Sequence, residues 1–303
     1  MSILKIVTSV SLLATTFSAI HAERRCPGNI ASVSLLQIQH TLIVVAVTVN
    51  GIGPFDFLVD TGAQVSTVDA QLAAQLDLQS TGSTGVSGVA TYGRRTVTQL
   101  ARVEIGAHHV ENLLAVVEDM AQLHQADPKL RGIVGENFLA HFDFLIDNEH
   151  RALCLDDSGL LASTIKGSHL ALEQPYGPDH DLPFTRPLVI ATQVAGSQTK
   201  TLLRLDSGSN VAVLYLTPEK KSIAFNRAET LSRSVGGIEQ QFALLPSVPV
   251  AADGHTLGQI VFVQPMNAVG VTQQPREGGV LPTAIFPRIF VSYQNQFVIL
   301  DPR

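Results

Sequence analysis

Asp60-Thr61-Gly62 and Asp206-Ser207-Gly208 are the residues of this chain whose types and spacing suggest chemistry. Each triplet ends or follows an apolar run, FLVDTGAQVSTV and LLRLDSGSNVAVL, and the two aspartates lie 146 positions apart. A single Asp-hydroxyl-Gly tripeptide reads as a tight turn in which Asp or Thr caps the backbone. Two such turns at matching places ask for more. Gly62 and Gly208 allow a sharp turn and a close approach of two backbones. Thr61 and Ser207 each offer a hydroxyl that can bond across a two-fold axis. If the turns pack about that axis, Asp60 and Asp206 face each other, cannot both ionise easily, and titrate as a unit that shares a proton. One member can then take a proton from a bound water while the other protonates a carbonyl. That is a route to amide hydrolysis without a metal or a covalent intermediate.

The elements that must position these turns are strands. Runs of 4–8 residues rich in Val, Ile, Leu and Thr recur between turn residues: SVSLLQI, LIVVAVTV, FDFLVD, VTQLARVEI, LLAVVE, FDFLID and ALCL. One segment, Asp69 to Leu78, has a helical texture, with Leu72 and Leu76 one turn apart and Asp69 as the expected N-cap. The second half repeats the first. LIVVAVTVNGIGPFDFLVDTGAQVSTV from Leu42 runs beside LVIATQVAGSQTKTLLRLDSGSNVAVL from Leu188, and FDFLIDNEHRALCL runs beside RIFVSYQNQFVIL. Asp60 precedes Gly135 by 75 positions and Asp206 precedes Pro282 by 76. An internal duplication is therefore expected. Its boundary falls near Ser158 to Lys166, because SHLALE echoes SVSLLQI. We expect a signal peptide over 1–22, one lobe over 23–162 and a second over 163–303.

Composition narrows the function. Charged residues make up 15 % of the chain, the net charge is −6, and no Lys/Arg cluster forms a stripe, which argues against a nucleic-acid partner. Lys5, the apolar run that follows it and the small residue Ala22 read as a secretory signal. The protein is thus expected to be exported, to a periplasm or beyond the cell, with no stable membrane insertion once the signal is removed. A retained N-terminal anchor is the alternative. Cys26 and Cys154 are the two cysteines; in an exported chain they invite one disulfide, the other possibility being two thiols. No Gly-x-Ser-x-Gly elbow, His-Glu-x-x-His helix or phosphate loop is present. The ten histidines are scattered and the cysteines too few for a thiolate zinc site, so no metal or cofactor is expected.

With these motifs in place, the sequence resembles the retropepsin/pepsin group of aspartic peptidases in a two-lobed, single-chain form. FLVDTGAQVSTV is similar to the retropepsin turn, with Ala63 after the glycine. RGIVGENFL, Arg131 to Leu139, is similar to the segment that supports that turn in each lobe, and FDFLIDNEHRALCL to the closing hairpin. The resemblance implies an all-β fold, two duplicated retropepsin-like barrel lobes with the active-site cleft between them. It implies Asp60 and Asp206 as the catalytic pair, and Thr61, Gly62, Ser207, Gly208 and Ser209 as supports of the turns. A glycine-bearing flap over an extended substrate is implied at Gly85, Val86, Ser87 and Gly88 and at Gly236 and Gly237. The substrate would be polypeptide, and with both aspartates in one chain the enzyme would act as a monomer. Two alternatives stay open: a non-catalytic peptide-binding relative, and a homodimeric peptidase using Asp60 from two chains.

The second lobe departs from the pattern at three places. Pro282 stands where the first lobe has Gly135, so either the packing beneath the second turn differs or the alignment is shifted. Arg204 shares a strand face with Asp206, where the first lobe has Leu58; since burying an unpaired guanidinium is costly, Arg204 is expected to face solvent. Ser209 can donate a hydroxyl to a carboxylate where Ala63 cannot, which makes Asp206 the expected more readily ionised member.

Overall fold

The computed structural model describes residues 26–39, 41–87, 92–121, 123–174, 187–195, 197–215, 229–235, 238–265 and 277–301. The expected signal segment and the glycines Gly88, Gly236 and Gly237 lie outside the described residues. The first half supplies β1 (Ser32–Ser34), β2 (Leu36–Ile38), β3 (Leu42–Val49), β4 (Ile52–Val59), β5 (Ser66–Asp69), β6 (Ser80–Ser87), β7 (Tyr92–Ile105), β8 (His108–Glu118), β9 (Leu130–Val134), β10 (Asp143–Asp147) and β11 (Ala152–Asp156). The second supplies β12 (Leu170–Glu173), β13 (Val189–Val194), β14 (Thr201–Asp206), β15 (Ala212–Leu214), β16 (Glu229–Val235), β17 (Ile238–Ala252), β18 (His255–Pro265), β19 (Gly279–Pro282), β20 (Arg288–Ser292) and β21 (Phe297–Leu300). The fold is mainly β, as the short apolar runs require.

The strand order shows the duplication directly. β3-β4-β9-β5-β8-β7 closes on itself through a β3–β7 pairing, and β13-β14-β19-β15-β18-β17 closes through β13–β17. Each half is thus a closed six-stranded barrel of the same connectivity. Closure removes the sheet edges that would otherwise leave backbone groups unpaired. In both barrels the strand leading to an aspartate runs parallel to a later strand: β4 beside β9 and β14 beside β19. The apolar side chains of these strands are buried on the barrel side, with Val59, Val134, Leu205 and Leu281 all in one cluster that runs through both barrels.

A bridging layer joins the halves. The order β1-β11-β10-β20-β21-β12 alternates contributions from both, with β10 pairing β20 in antiparallel register (Phe144 opposite Val291, Ile146 opposite Ile289). One side of this layer faces the large cluster through Phe144 and Ile146; the other side carries Leu145, Phe290 and Ile299 under Leu161 and Ile165. Leu161 belongs to a short helix over Leu160–Thr164. Cys26 and Cys154 are disulfide-bonded within this second cluster.

The helix expected from Asp69 to Leu78 is shorter, α1 (Ala70–Gln75), and Asp69 makes no capping hydrogen bond with its side chain. Two local facts explain the difference. Asp77 takes a left-handed conformation (φ 49°), which ends the helix. Asp69 is the last residue of β5 and is almost wholly buried; its carboxylate lies 4.0 Å from His124 Nε2.

Candidate active site

The two Asp-hydroxyl-Gly turns meet at the junction of the barrels. Thr61 N–H donates to Ser207 Oγ at 3.0 Å, and Ser207 N–H donates to Thr61 Oγ1 at 3.0 Å. The hydroxyls pass the bonds on: Thr61 Oγ1 donates to the Leu205 carbonyl (2.9 Å) and Ser207 Oγ to the Val59 carbonyl (2.7 Å). Both hydroxyl residues are buried. Four reciprocal bonds of this kind, each a net ~1 kcal/mol, fix the turns about a local two-fold axis. A Cβ built on Gly62 would stand 2.5 Å from Asp206 Oδ2, and one on Gly208 would stand 2.5 Å from Asp60 Oδ2. Each glycine is required because the opposite carboxyl fills the space a side chain would need.

Asp60 and Asp206 are therefore brought together, each carboxyl lying over the glycine of the opposite turn and acting on the titration of the other, while each residue keeps part of its surface open. Their surroundings are unequal. Asp60 Oδ1 accepts from the N–H groups of Gly62 (2.8 Å) and Ala63 (3.1 Å), whereas Asp206 Oδ1 accepts from Gly208 (2.7 Å), alone among the described backbone donors. Burial raises both carboxyls above the usual aspartate range. Asp206 goes well above it, because the charge of Asp60 adds to burial, while hydrogen-bond donors hold Asp60 lower; the Arg204 guanidinium acts to lower both. The backbone donors thus favour charge on Asp60, whereas Ser209 was expected to favour it on Asp206. Ser209 Oγ donates to the Val211 carbonyl at 2.8 Å, two residues on, and its local turn satisfies it before the carboxylate can.

Beneath the first turn is a polar brace. Gly135 N–H donates to Ser66 Oγ (3.1 Å), and Ser66 donates both its N–H and its hydroxyl to Asn137 Oδ1 (2.8 Å each). Asn137 Nδ2 in turn donates to the Leu114 carbonyl. Glu136 and Asn137 open the short helix α2 (Glu136–Leu139). A Cβ on Gly135 would meet the Ala63 carbonyl oxygen at 2.7 Å. In the second barrel Asp206 lies opposite Pro282, so the register is not shifted and proline occupies the glycine's place. The equivalent of Ser66 is Ala212, and the residue two beyond Pro282 is Ala284. The backbone donor, the hydroxyl and the amide are lost together, so the brace is replaced as a unit.

Arg204 is turned inward rather than to solvent. Its side chain is 11 % exposed, against 4 % for Glu277, and the two form an ion pair in which Arg204 Nε lies 2.9 Å from Glu277 Oε1. A second guanidinium nitrogen, NH2, pairs with the same oxygen. Arg204 NH1 reaches across the lobes and donates to the Gly62 carbonyl at 2.8 Å. The cost that argued for exposure is offset by Glu277. Glu136, just beyond Gly135, is also buried, and neither of its carboxyl oxygens has a hydrogen-bond partner of ordinary geometry, although the Leu188 backbone lies close by. Burial raises it to about 8 despite the nearby cation of Arg204. Sequence reasoning missed Glu277, Glu136 and Asn137. Glu277 could have been found: it aligns with Leu130 just as Arg204 aligns with Leu58, so an apolar pair in one half becomes opposite charges in the other.

Gly85, Val86 and Ser87 lie on β6 opposite Arg94, Gly93 and Tyr92 of β7, one arm of a hairpin. The second barrel has the matching hairpin of β16 and β17. Among the described residues no group of His, Cys, Asp and Glu is placed to hold a metal ion.

Residues 45–141, from within β3 to just beyond α2, match the family model described as "gag-polyprotein putative aspartyl protease". With its barrel and its Asp-Thr-Gly turn, this part of the chain is similar to the retropepsin-like aspartyl proteases. No curated protein matches it.

Proposed function

We propose that the protein is an aspartic endopeptidase that hydrolyses polypeptide with one water held between Asp60 and Asp206. The observation that carries this is the placing of each carboxyl against the opposite turn's glycine, across reciprocally bonded turns of one chain. Asp60, the charged member, removes a proton from the water as it attacks the peptide carbonyl carbon. Asp206, the protonated member, gives its proton to the carbonyl oxygen. Collapse of the resulting gem-diol returns a proton to the leaving nitrogen and restores the pair. Thr61, Ser207, Gly62 and Gly208 hold the geometry, and the β6–β7 and β16–β17 hairpins are the parts suited to cover an extended substrate.

The same reading makes the chain active as a monomer, since the partner of Asp60 is in the same molecule. Export to a periplasm or the medium is supported by the Cys26–Cys154 disulfide, a bond that persists in oxidising compartments. The test is cleavage of an unfolded protein from pH 3 to 8 by the native chain beside Asp60→Asn. Cleavage by the native chain, lost in the variant, is expected. A folded native chain that cleaves nothing at any pH would point to a peptide-binding relative instead.

A further inference from the structure

Buried ion pairs are poor devices for stability: desolvation offsets most of their attraction, and an apolar pair of similar volume usually serves as well. The chain itself supplies that comparison. At the positions equivalent to Arg204 and Glu277 the first barrel holds Leu58 and Leu130, packed in one apolar cluster with Leu42 and Val44. The barrel therefore does not need charges there. What the second barrel gains is a reach that leucine lacks, because Arg204 NH1 donates to the carbonyl of Gly62 in the opposite turn. No counterpart runs from Leu58 to Gly208, so this contact breaks the two-fold symmetry of the site.

We propose that Arg204, oriented by Glu277, is a positioning residue that fixes the Asp60 turn against the second barrel and makes Asp60 the member that takes the proton from water. The proposal rests on the aspartic-peptidase reading above. Two arguments lead to it. The first is the shape of the guanidinium, a planar fork that holds a carboxylate with one set of donors and a carbonyl with another, which a single ammonium cannot do. The second is the placement of charge. The ionisable groups around the guanidinium are Asp60 and Asp206 of the turns, Glu136 of α2, Glu277 before β19 and Tyr215 after β15. Arg204 is a cation close to all of them, and it bonds directly to the turn of Asp60 through the Gly62 carbonyl.

The test is Arg204→Leu combined with Glu277→Leu, which copies the first barrel's own solution and leaves no unpaired buried charge. Thermal unfolding and gel filtration check that it folds. The expected result is a folded protein with kcat lowered about tenfold or more and the acidic limb of its kcat/KM profile moved to higher pH, because the ionised pair has lost its cation. Arg204→Lys is the second variant: it keeps the charge, so its acidic limb should stay in place while kcat falls. A folded double variant with native kcat and an unmoved acidic limb would overturn the proposal. So would a double variant that fails to fold beside a lysine variant of native kcat, since the pair would then be structural only. Absence of cleavage by the native chain removes the peptidase reading and this role with it, and is distinguished from these outcomes by the native control.

Discussion

Asp60 accepts two backbone N–H bonds on one oxygen where Asp206 accepts one, and this difference favours charge on Asp60 in the proposed mechanism. Ser209 takes no part in that division. Ser209→Ala should therefore leave the acidic limb of the pH–rate profile where it is; a clear movement of that limb would show that the hydroxyl reaches the carboxylate after all. Glu136 gives a prediction about stability. Its folded-state pKa of about 8 lies above the ordinary 4.5, so the folded chain holds a proton that the unfolded chain has lost. The stability linked to that proton is complete below about pH 4.5 and declines as pH rises toward 8, by at most about 1.4 kcal/mol per pH unit. Glu136→Gln mimics the protonated form and should gain stability over the native chain as pH rises from about 5 to about 8, seen as a growing difference in urea midpoint. A difference that stays constant over that range would contradict it.

The supports of the two turns are built on different chemistry. Ser66, Gly135 and Asn137 form a polar brace in the first barrel; Ala212, Pro282 and Ala284 stand at the matching places in the second. Gly135→Ala pushes a methyl against the Ala63 carbonyl and should cost about 1–3 kcal/mol as an overpacked site. Pro282→Ala loses mainly the stiffening of the unfolded chain, less than about 1 kcal/mol. Equal effects in denaturant titrations would mean the two supports are equivalent. At this scale the strands and the Asp-hydroxyl-Gly turns were legible, because β-branched runs and turn residues act locally. The extent of α1 was not, since a left-handed Asp77 ended it, and the inward turn of Arg204 was legible only by comparing the two halves, because its partner lies 73 residues later.

Across the whole molecule, the barrels are tied by strands as well as by their turns. β10 and β20 pair edge to edge, Ser292 Oγ donates to Asp143 Oδ2 at 2.9 Å, and Asn148 Nδ2 donates to the Thr283 and Phe286 carbonyls. The duplication announced two similar halves, but no local pattern showed which strands would join them, because that pairing links residues about as far apart as the repeat itself. The disulfide encloses a long loop, with a separation of 128. Replacing both cysteines by serine should lower stability by about 2–5 kcal/mol, and an unchanged denaturant midpoint would show that the bridging layer holds without it. In the proposed enzyme one chain supplies both aspartates. The most direct test is cleavage of an unfolded protein by a folded Asp206→Asn chain. Activity should fall by several orders of magnitude at every pH, with Asp60 intact; activity that survives would rule out the intramolecular pair and place the partner of Asp60 in a second molecule.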